Sequence, residues 1–221
     1  MVALIVHSSD PVALVGGADL GPQDLNILQS YAPSFVGVDG GADHLLAAGI
    51  RPVAVIGDLD SISDGARLEY SDLLHHVCEQ DTVDFEKAWR LVDAPIVFAV
   101  GFSGGRLDHT LAVLNVMGQF GRRRRLILIG TEDVTAIVPR DGFVLNGLAI
   151  GSRLSLMPLA TARVSATGLR WPVDDQVFDT LGFTSPSNEV VGPVVTLSAE
   201  GPVLLVLPRR SLDAMVKAMM G

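Results

Sequence analysis

Short apolar runs alternate with amphipathic stretches along roughly the first 130 residues of the chain. Continuous apolar runs are typical of strands buried on both faces of a parallel sheet, whereas apolar positions three and four residues apart are typical of helices. Their alternation predicts an α/β domain with a mainly parallel sheet. The predicted strands are residues 3–6, 35–38, 53–56, 96–100 and 126–130, and the predicted helices are residues 22–32, 42–49, 84–92 and 107–120.

The pattern changes near residues 134–142, and helical spacing returns only in the last dozen residues. The segments in between, "RLSLMPL", "ARVSATGL", "EVVGPVVTLSA" and "PVLLVLP", are rich in Val and Leu and are separated by Gly, Pro and Ser. Short strands with such separators predict an antiparallel sandwich or a small barrel. The chain of 221 residues therefore divides into an α/β part and an all-β part.

Composition narrows the classes of function. The chain has 16 basic and 25 acidic residues, and its net charge of -9 disfavours nucleic acid as a partner. The single cysteine, Cys78, excludes an internal disulfide and a cysteine-based zinc site. The first residues lack the basic segment of a signal peptide, and no stretch approaches the ~20 apolar residues of a membrane span. We expect a cytoplasmic protein with no membrane partner.

Polar residues collect where the predicted strands of the α/β part end. Asp39, Gly40 and Gly41 follow one strand, and Asp58 and Asp60 follow the next, in "VAVIGDLDSIS". Ligands of parallel sheets bind beyond the carboxyl ends of the strands. Each loop alone is ambiguous, because two glycines or two aspartates occur more often in plain turns than in ligand sites.

Two later junctions add groups of the same kind. In "EQDTVDFEKAW", Asp81 suits the N-cap of the next helix, which leaves Asp84 in the first turn without a capping role. Glycine amides can bind phosphate, and an arginine can bind anionic oxygens in a bidentate manner. The junction "GFSGGRLDHTLA" supplies Gly104, Gly105, Arg106 and a further carboxylate, Asp108.

Together the four junctions indicate a metal–nucleotide site. Magnesium prefers carboxylate oxygens, usually one or two of them together with substrate phosphates. With glycines and an arginine for the phosphates, the predicted chemistry is phosphoryl-type transfer. The sequence GxxxxGK[ST] of P-loop enzymes is absent from the chain.

The motifs in these junctions resemble those of the thiamine pyrophosphokinase (thiamine diphosphokinase) family. The similar blocks are "VDGGADHLLAAGIRPVAVIGDLDSIS", "EQDTVDFEKAW" and "GGRLDHTLA", followed by "GLRWPV" and "SNE". They occur in the family's order between roughly residues 35 and 208. The resemblance implies that ATP and thiamine are converted to AMP and thiamine diphosphate with Mg²⁺, in one attack of the thiamine hydroxyl on the β-phosphorus.

The resemblance also implies roles for individual residues. The catalytic and metal-binding carboxylates would be Asp58, Asp60, Asp84 and Asp108. The nucleotide and its phosphates would contact Asp39, Gly40, Gly41, Gly104, Gly105 and Arg106. Gln80 would lie beside the transferring group. Which carboxylate accepts the hydroxyl proton stays open, with Asp84 and Asp58 as the candidates.

For the all-β part, the resemblance implies a β-sandwich that binds thiamine and forms a homodimer, with the site shared between subunits. Trp171 would stack on the thiamine pyrimidine, and Ser187 and Asn188 would add polar contacts. An aromatic face also suits the cationic thiazolium. Trp89, on a predicted helix, is instead expected in the core.

The fold class implied is a Rossmann-like, mainly parallel sheet with helices, followed by an all-β sandwich. Residues 1–137 would be the catalytic nucleotide-binding domain, and residues 138–221 the thiamine-binding and dimerisation domain. The chain departs from the family pattern at Asp43, Val83 and Pro186, but no departure removes a carboxylate.

Two other classes of function are compatible with parts of the pattern. Haloacid-dehalogenase-type phosphatases also present two aspartates after a strand, as in "IGDLDSI", but they need a later lysine in a loop. The only lysines are Lys87 and Lys217, and neither lies in a suitable loop. A non-catalytic thiamine- or nucleotide-binding module would not require four carboxylates.

Overall fold

The computed structural model describes residues 3–220, which form two compact units. The first unit extends to Val113 and includes Leu128–Thr131, and the second consists of Leu114–Ile127 and the residues from Glu132 onward. The predicted mixed α/β fold is confirmed, as is a separate antiparallel, sandwich-like part. Within the described residues, no helix combines the length and the apolar character that crossing a membrane requires.

The first unit contains a parallel sheet. Its elements are β1 (Val6–His7), β2 (Val12–Val15), α1 (Asp24–Gln29), β3 (Ser34–Val38), α2 (Gly41–Ala47), β4 (Ala54–Gly57), α3 (Asp64–Glu69), β5 (Leu74–His76), α4 (Asp84–Leu91), β6 (Val92–Asp93) and β7 (Val97–Val100). The strand order is β7-β2-β3-β4-β5, with every neighbouring pair parallel. All residues of β2, β4 and β7 are buried, which explains their continuous apolar runs.

The first predicted strand is misplaced. Of residues 3–6, only Val6 lies in a strand, the two-residue β1 that it forms with His7 and that pairs with the short strand β6. The strand that pairs with β3 and β7 is β2, over Val12–Val15. Both segments are apolar, and β2 alone has four fully buried residues, so burial in the folded sheet and not the local pattern distinguishes them.

Helix α5 (Leu107–Phe120) has the bounds predicted from the sequence, and it is followed by β8 (Leu126–Ile129). Both cross the division of the chain between the two units. The short helix α3 and strand β5 were not predicted, since each offers too few residues for a periodic pattern. The core position expected for Trp89 is confirmed, since the residue is 2% exposed.

The second unit contains two antiparallel arrangements of strands. Its elements are β9 (Asp133–Ile137), β10 (Phe143–Asn146), β11 (Arg153–Pro158), β12 (Ala162–Thr167), β13 (Val173–Phe178), β14 (Ser185–Glu189), β15 (Val194–Glu200), β16 (Val203–Pro208), a 3₁₀ turn (Arg209–Ser211) and α6 (Leu212–Met220). One arrangement has the order β14-β11-β16-β9, and the other has the order β10-β15-β12-β13. In β12 and β15 buried residues alternate with others, the pattern of a sheet with one covered face.

Candidate active site

A cavity of about 850 Å³ opens at the carboxyl ends of the parallel strands in the first unit. Residues in the loops after β2, β3, β4 and β7 contribute to its wall, together with the start of α4 and the first turns of α5. Most of its polar lining comes from Asp19, Asp39, Asp58, Ser61, Gln80, Asp81, Thr82, Asp84, Lys87, Arg106, His109 and Thr110. The cavity therefore combines carboxylates with three types of cationic or titratable nitrogen group.

The loop after β4 turns through a left-handed residue. Leu59 has a φ of 62°, unusual for a residue with a branched aliphatic side chain, and it is only 5% exposed. Its backbone oxygen accepts a hydrogen bond from the Arg67 guanidinium, which helps to hold the turn. The buried Leu59 side chain anchors the loop between Asp58 and Asp60, so the two carboxylates flank a fixed point.

Asp39 joins these two aspartates in one cluster. Carboxylate oxygens of Asp39, Asp58 and Asp60 lie within 4.8 Å of one another. The Ser61 amide donates to Asp39 at 3.3 Å, and the Ser61 hydroxyl donates to Asp60 at 2.8 Å. Burial raises the pKa of Asp39, and the Asp84 charge adds to that effect, against hydrogen bonds from Ser61 and Gly40 that lower it.

Asp84 is linked to the cluster through a buried lysine. Lys87 Nζ donates to Asp84 Oδ1 at 2.9 Å and lies 3.8 Å from Asp58 Oδ2. Asp84 Oδ1 also accepts the Asp58 amide at 3.2 Å. Burial alone would lower the pKa of Lys87, but the hydrogen bond to Asp84 and the charges of Asp84 and Asp58 outweigh it, so this pKa is raised. The ammonium group is therefore charged beside two carboxylates.

The predicted capping role of Asp81 is wrong. Helix α4 begins at Asp84 with Val83 at the N-cap, and no side chain caps it there. The carboxylate of Glu79 instead accepts the amides of Asp81 and Thr82, at 2.8 and 3.1 Å. Glu79 thus closes the turn before α4, and Asp81 and Thr82 line the cavity.

Arg106 and Asp108 form an ion pair with each other. The Arg106 side chain donates twice to the Asp108 carboxylate, at 3.1 and 2.6 Å, and both side chains are largely exposed. The hydrogen bond from Arg106 lowers the pKa of Asp108. Arg106 lines the cavity, whereas Asp108 is not among the described residues that do. Asp108 therefore contacts the site through Arg106.

Glycine is required at two positions of the predicted phosphate loops, for a different structural reason at each. A Cβ at Gly41 would lie 1.8 Å from the Val15 oxygen, so the first residue of α2 must be a glycine for α2 to approach β2. Gly104 has a φ of 89° and nothing within 4 Å of its would-be Cβ, so its backbone conformation requires glycine although space does not.

The structure brings many of the predicted residues of the first unit to one cavity. Its lining includes Asp39, Gly40, Asp58, Gln80, Asp84, Gly105 and Arg106. Asp60 joins through the carboxylate cluster. Gly41, Gly104 and Asp108 lie next to lining residues in the chain, outside the lining that the described residues form.

Sequence reasoning missed several parts of this wall, and two of them left a signal in the sequence. The segment Gly17–Asp19 lines the cavity, and the Gly-Gly pair after "VALV" was an available signal that the misplaced first strand concealed. From the sequence, Lys87 is considered only as the loop lysine of a phosphatase, but its position three residues after Asp84 places the two side chains on one helix face.

The second unit holds the other predicted residues. Trp171 is 57% exposed, and the guanidinium carbon of Arg170 lies 5.9 Å from its ring centroid. Asn188 is 2% exposed, and its side chain bonds to both backbone groups of Trp171. The Ser187 amide donates to Ser155 Oγ at 2.9 Å, and Ser187 has a φ of 57°. Pro186 lies in β14, at an end of its strand order, where proline is tolerated.

Two family models match this chain. The "Thiamin pyrophosphokinase, catalytic domain" matches residues 25–129, and the "Thiamin pyrophosphokinase, vitamin B1 binding domain" matches residues 145–204. The thiamine pyrophosphokinase of Bacillus subtilis is 29% identical over 190 residues, covering 81% of this chain and 87% of the relative. Thiamine pyrophosphokinase 3 of Oryza sativa is 26% identical over 180 residues, covering 72% of this chain and 67% of the relative.

Solved structures share the fold. The crystal structure of thiamine pyrophosphokinase from Bacillus subtilis matches with a TM-score of 0.75 and 24% identity, covering 90% of this chain and 98% of that one. The comparisons confirm the predicted family and the predicted enzyme, a thiamine pyrophosphokinase, and they support neither the phosphatase nor the binding module. The chain therefore belongs to the thiamin pyrophosphokinase family and contains both its catalytic and its vitamin B1 binding domain.

Proposed function

We propose that the protein transfers a diphosphoryl group from ATP to the hydroxyl of thiamine, giving thiamine diphosphate and AMP. In this reaction the thiamine oxygen bonds to the β-phosphorus, the bond from that phosphorus to the oxygen it shares with the α-phosphorus breaks, and the hydroxyl proton leaves to a base. The observation that carries the proposal is the cluster of Asp39, Asp58 and Asp60 beside Asp84 in a cavity that Arg106 also lines.

The donor set fits Mg²⁺. Three carboxylates within 4.8 Å of one another offer the hard oxygen ligands that this ion takes, usually one or two of them together with substrate phosphates and water. Asp58 and Asp60 would hold the ion, with Asp39 beside them and Asp84 next to Asp58. When bound, the ion neutralises charge on the transferring phosphates.

The remaining residues of the cavity position the nucleotide. Arg106 presents a charged, exposed guanidinium that suits phosphate oxygens, and Asp108 orients it through two hydrogen bonds. Gln80 would lie beside the transferring group, and the loops at Gly40–Gly41 and Gly104–Gly105 would border the nucleotide. Asp84 and Asp58 are the candidate acceptors of the hydroxyl proton.

Thiamine would bind through the second unit. The exposed indole of Trp171 suits an aromatic pyrimidine and its cationic neighbour, and Asn188 fixes the backbone that carries it. Ser187 supplies a hydroxyl on the same strand as Asn188. We assign residues 1–137 as a Rossmann-like catalytic domain and residues 138–221 as the thiamine-binding, dimerising sandwich of a cytoplasmic homodimer.

An assay of purified protein with ATP, Mg²⁺ and thiamine tests this function. We expect AMP and thiamine diphosphate in equal amounts, no product when any one of the three is omitted, and no product after chelation of the metal. Release of ADP, or formation of thiamine monophosphate alone, would contradict the proposal.

A further inference from the structure

Lys87 is the buried cation of the carboxylate cluster. It is 3% exposed, and its ammonium group lies 2.9 Å from Asp84 Oδ1 and 3.8 Å from Asp58 Oδ2. An ammonium group removed from water to this extent is stable only beside opposite charge. The lysine thus occupies a position between two carboxylates that are candidates for holding a divalent cation.

We propose that Lys87 is a resident counter-ion that keeps these carboxylates from binding a free divalent cation, so that the cation binds only together with the phosphates of the nucleotide. The inference rests on the proposed function for the identity of the nucleotide site. It adds to that site a positioning residue, Lys87, and the condition that the cation binds together with the nucleotide and not before it.

The physical reason is the balance of charge. A divalent cation that approaches Asp58 alone meets a fixed positive charge a few ångströms away, and one that binds Asp84 Oδ1 must displace the hydrogen bond from the buried Lys87 ammonium group. Several negative charges arrive with a nucleoside polyphosphate. Those charges can neutralise both the cation and Lys87, so the nucleotide removes the barrier that the cation meets alone.

Substitutions can distinguish a counter-ion role of Lys87 from a role in stabilising the fold alone. Lys87→Met keeps the length and removes the charge, whereas Lys87→Arg keeps the charge. Lys217→Met removes the same charge from the other lysine of the chain, which is exposed on α6. If Lys87 acts as a counter-ion, Lys87→Met should differ from Lys87→Arg and Lys217→Met in its affinity for a divalent cation.

Binding of Mn²⁺ to the full-length protein without nucleotide, followed by electron paramagnetic resonance, tests the proposal. We expect weak, millimolar binding by the wild type, Lys87→Arg and Lys217→Met, and at least about tenfold tighter binding by Lys87→Met. Equal affinity of Lys87→Met and Lys217→Met would overturn it, with thermal melting used to verify that each variant is folded.

The wild type alone also provides a test, in case Lys87→Met does not fold. Micromolar binding of free Mn²⁺ by the wild type would overturn the proposal. Neither measurement involves thiamine or turnover, so failure here leaves the proposed activity intact. Conversely, if the protein shows the expected Mn²⁺ affinities but makes no thiamine diphosphate, the counter-ion role of Lys87 stands and thiamine is not the acceptor.

Discussion

Asn188 brackets Trp171 by bonding to both of its backbone groups. Asn188 Oδ1 accepts the Trp171 amide at 3.2 Å, and Asn188 Nδ2 donates to the Trp171 oxygen at 2.7 Å. The same amide side chain also accepts the Glu189 amide at 2.8 Å and donates to Ser185 Oγ at 3.3 Å. One buried side chain therefore fixes the segment that presents an exposed indole.

Replacing Trp171 by alanine is expected to raise the KM for thiamine more than the KM for ATP. The ring is 57% exposed, so its removal takes away a contact surface and not a core residue. Steady-state kinetics with each substrate varied in turn measures the two constants. Val177→Ala, which truncates another exposed apolar residue of the second unit, should change neither. A larger effect on the KM for ATP than on the KM for thiamine would contradict the assignment of Trp171 to the thiamine site.

Asn188→Ala should reproduce the thiamine effect of Trp171→Ala and also destabilise the protein. The substitution removes the part-buried hydrogen bonds from Asn188 to both backbone groups of Trp171, each of which contributes about 0.5–1.5 kcal/mol. Denaturant unfolding measures the loss of free energy of unfolding. The matched variant Asn115→Ala loses a single exposed side-chain hydrogen bond and should be nearly neutral. Unchanged stability of Asn188→Ala would refute the bracketing role.

Asp60→Asn should abolish turnover and leave the fold intact. The side chain is exposed and belongs to the carboxylate cluster, so the change removes a charge from the proposed metal site without disturbing the core. Asp10→Asn alters another exposed aspartate of the first unit and should retain activity. Turnover that survives in Asp60→Asn, with thermal melting matching the wild type, would show the metal assignment to be wrong.

The raised pKa of Asp39 predicts a pH-dependent gain in stability for Asp39→Asn. Above the ordinary value of 3.8 the folded protein binds more protons at this carboxyl than the unfolded chain does, so wild-type stability falls as pH rises through the folded pKa. Asparagine does not titrate. The variant's advantage in free energy of unfolding should therefore grow with pH across this window and then become constant.

Denaturant unfolding at a series of pH values measures that advantage. Because burial is the largest cause of the shift, the gain should persist at high salt, which screens the charge of Asp84 more than it affects desolvation. An advantage that is independent of pH, or that grows toward acid, would contradict the assignment.

The sequence predicted best what depends on local pattern. Helix α5 is 14 residues long, so its apolar positions recur over several turns, and its bounds agree with the prediction. The choice between residues 3–6 and Val12–Val15 as the first strand depended on which apolar run pairs with β3 and β7, and no local pattern contains that information.

The candidate site shows the same limit. The aspartates after β3 and β4 could be found because parallel strands end at one edge of a sheet. The burial of Lys87 against Asp58 could not, because Asp58 and Lys87 are far apart in the chain and meet only when α4 packs against the sheet. The role of Glu79 was also hidden, since Asp81 has the more typical capping side chain.

Turnover with ATP carrying a radioactive γ-phosphate tests the central claim most directly. If a diphosphoryl group moves in one step, the label appears in thiamine diphosphate, and one unlabelled AMP forms for each labelled product. Label found in thiamine monophosphate with release of ADP, or label released as inorganic phosphate, would contradict the account.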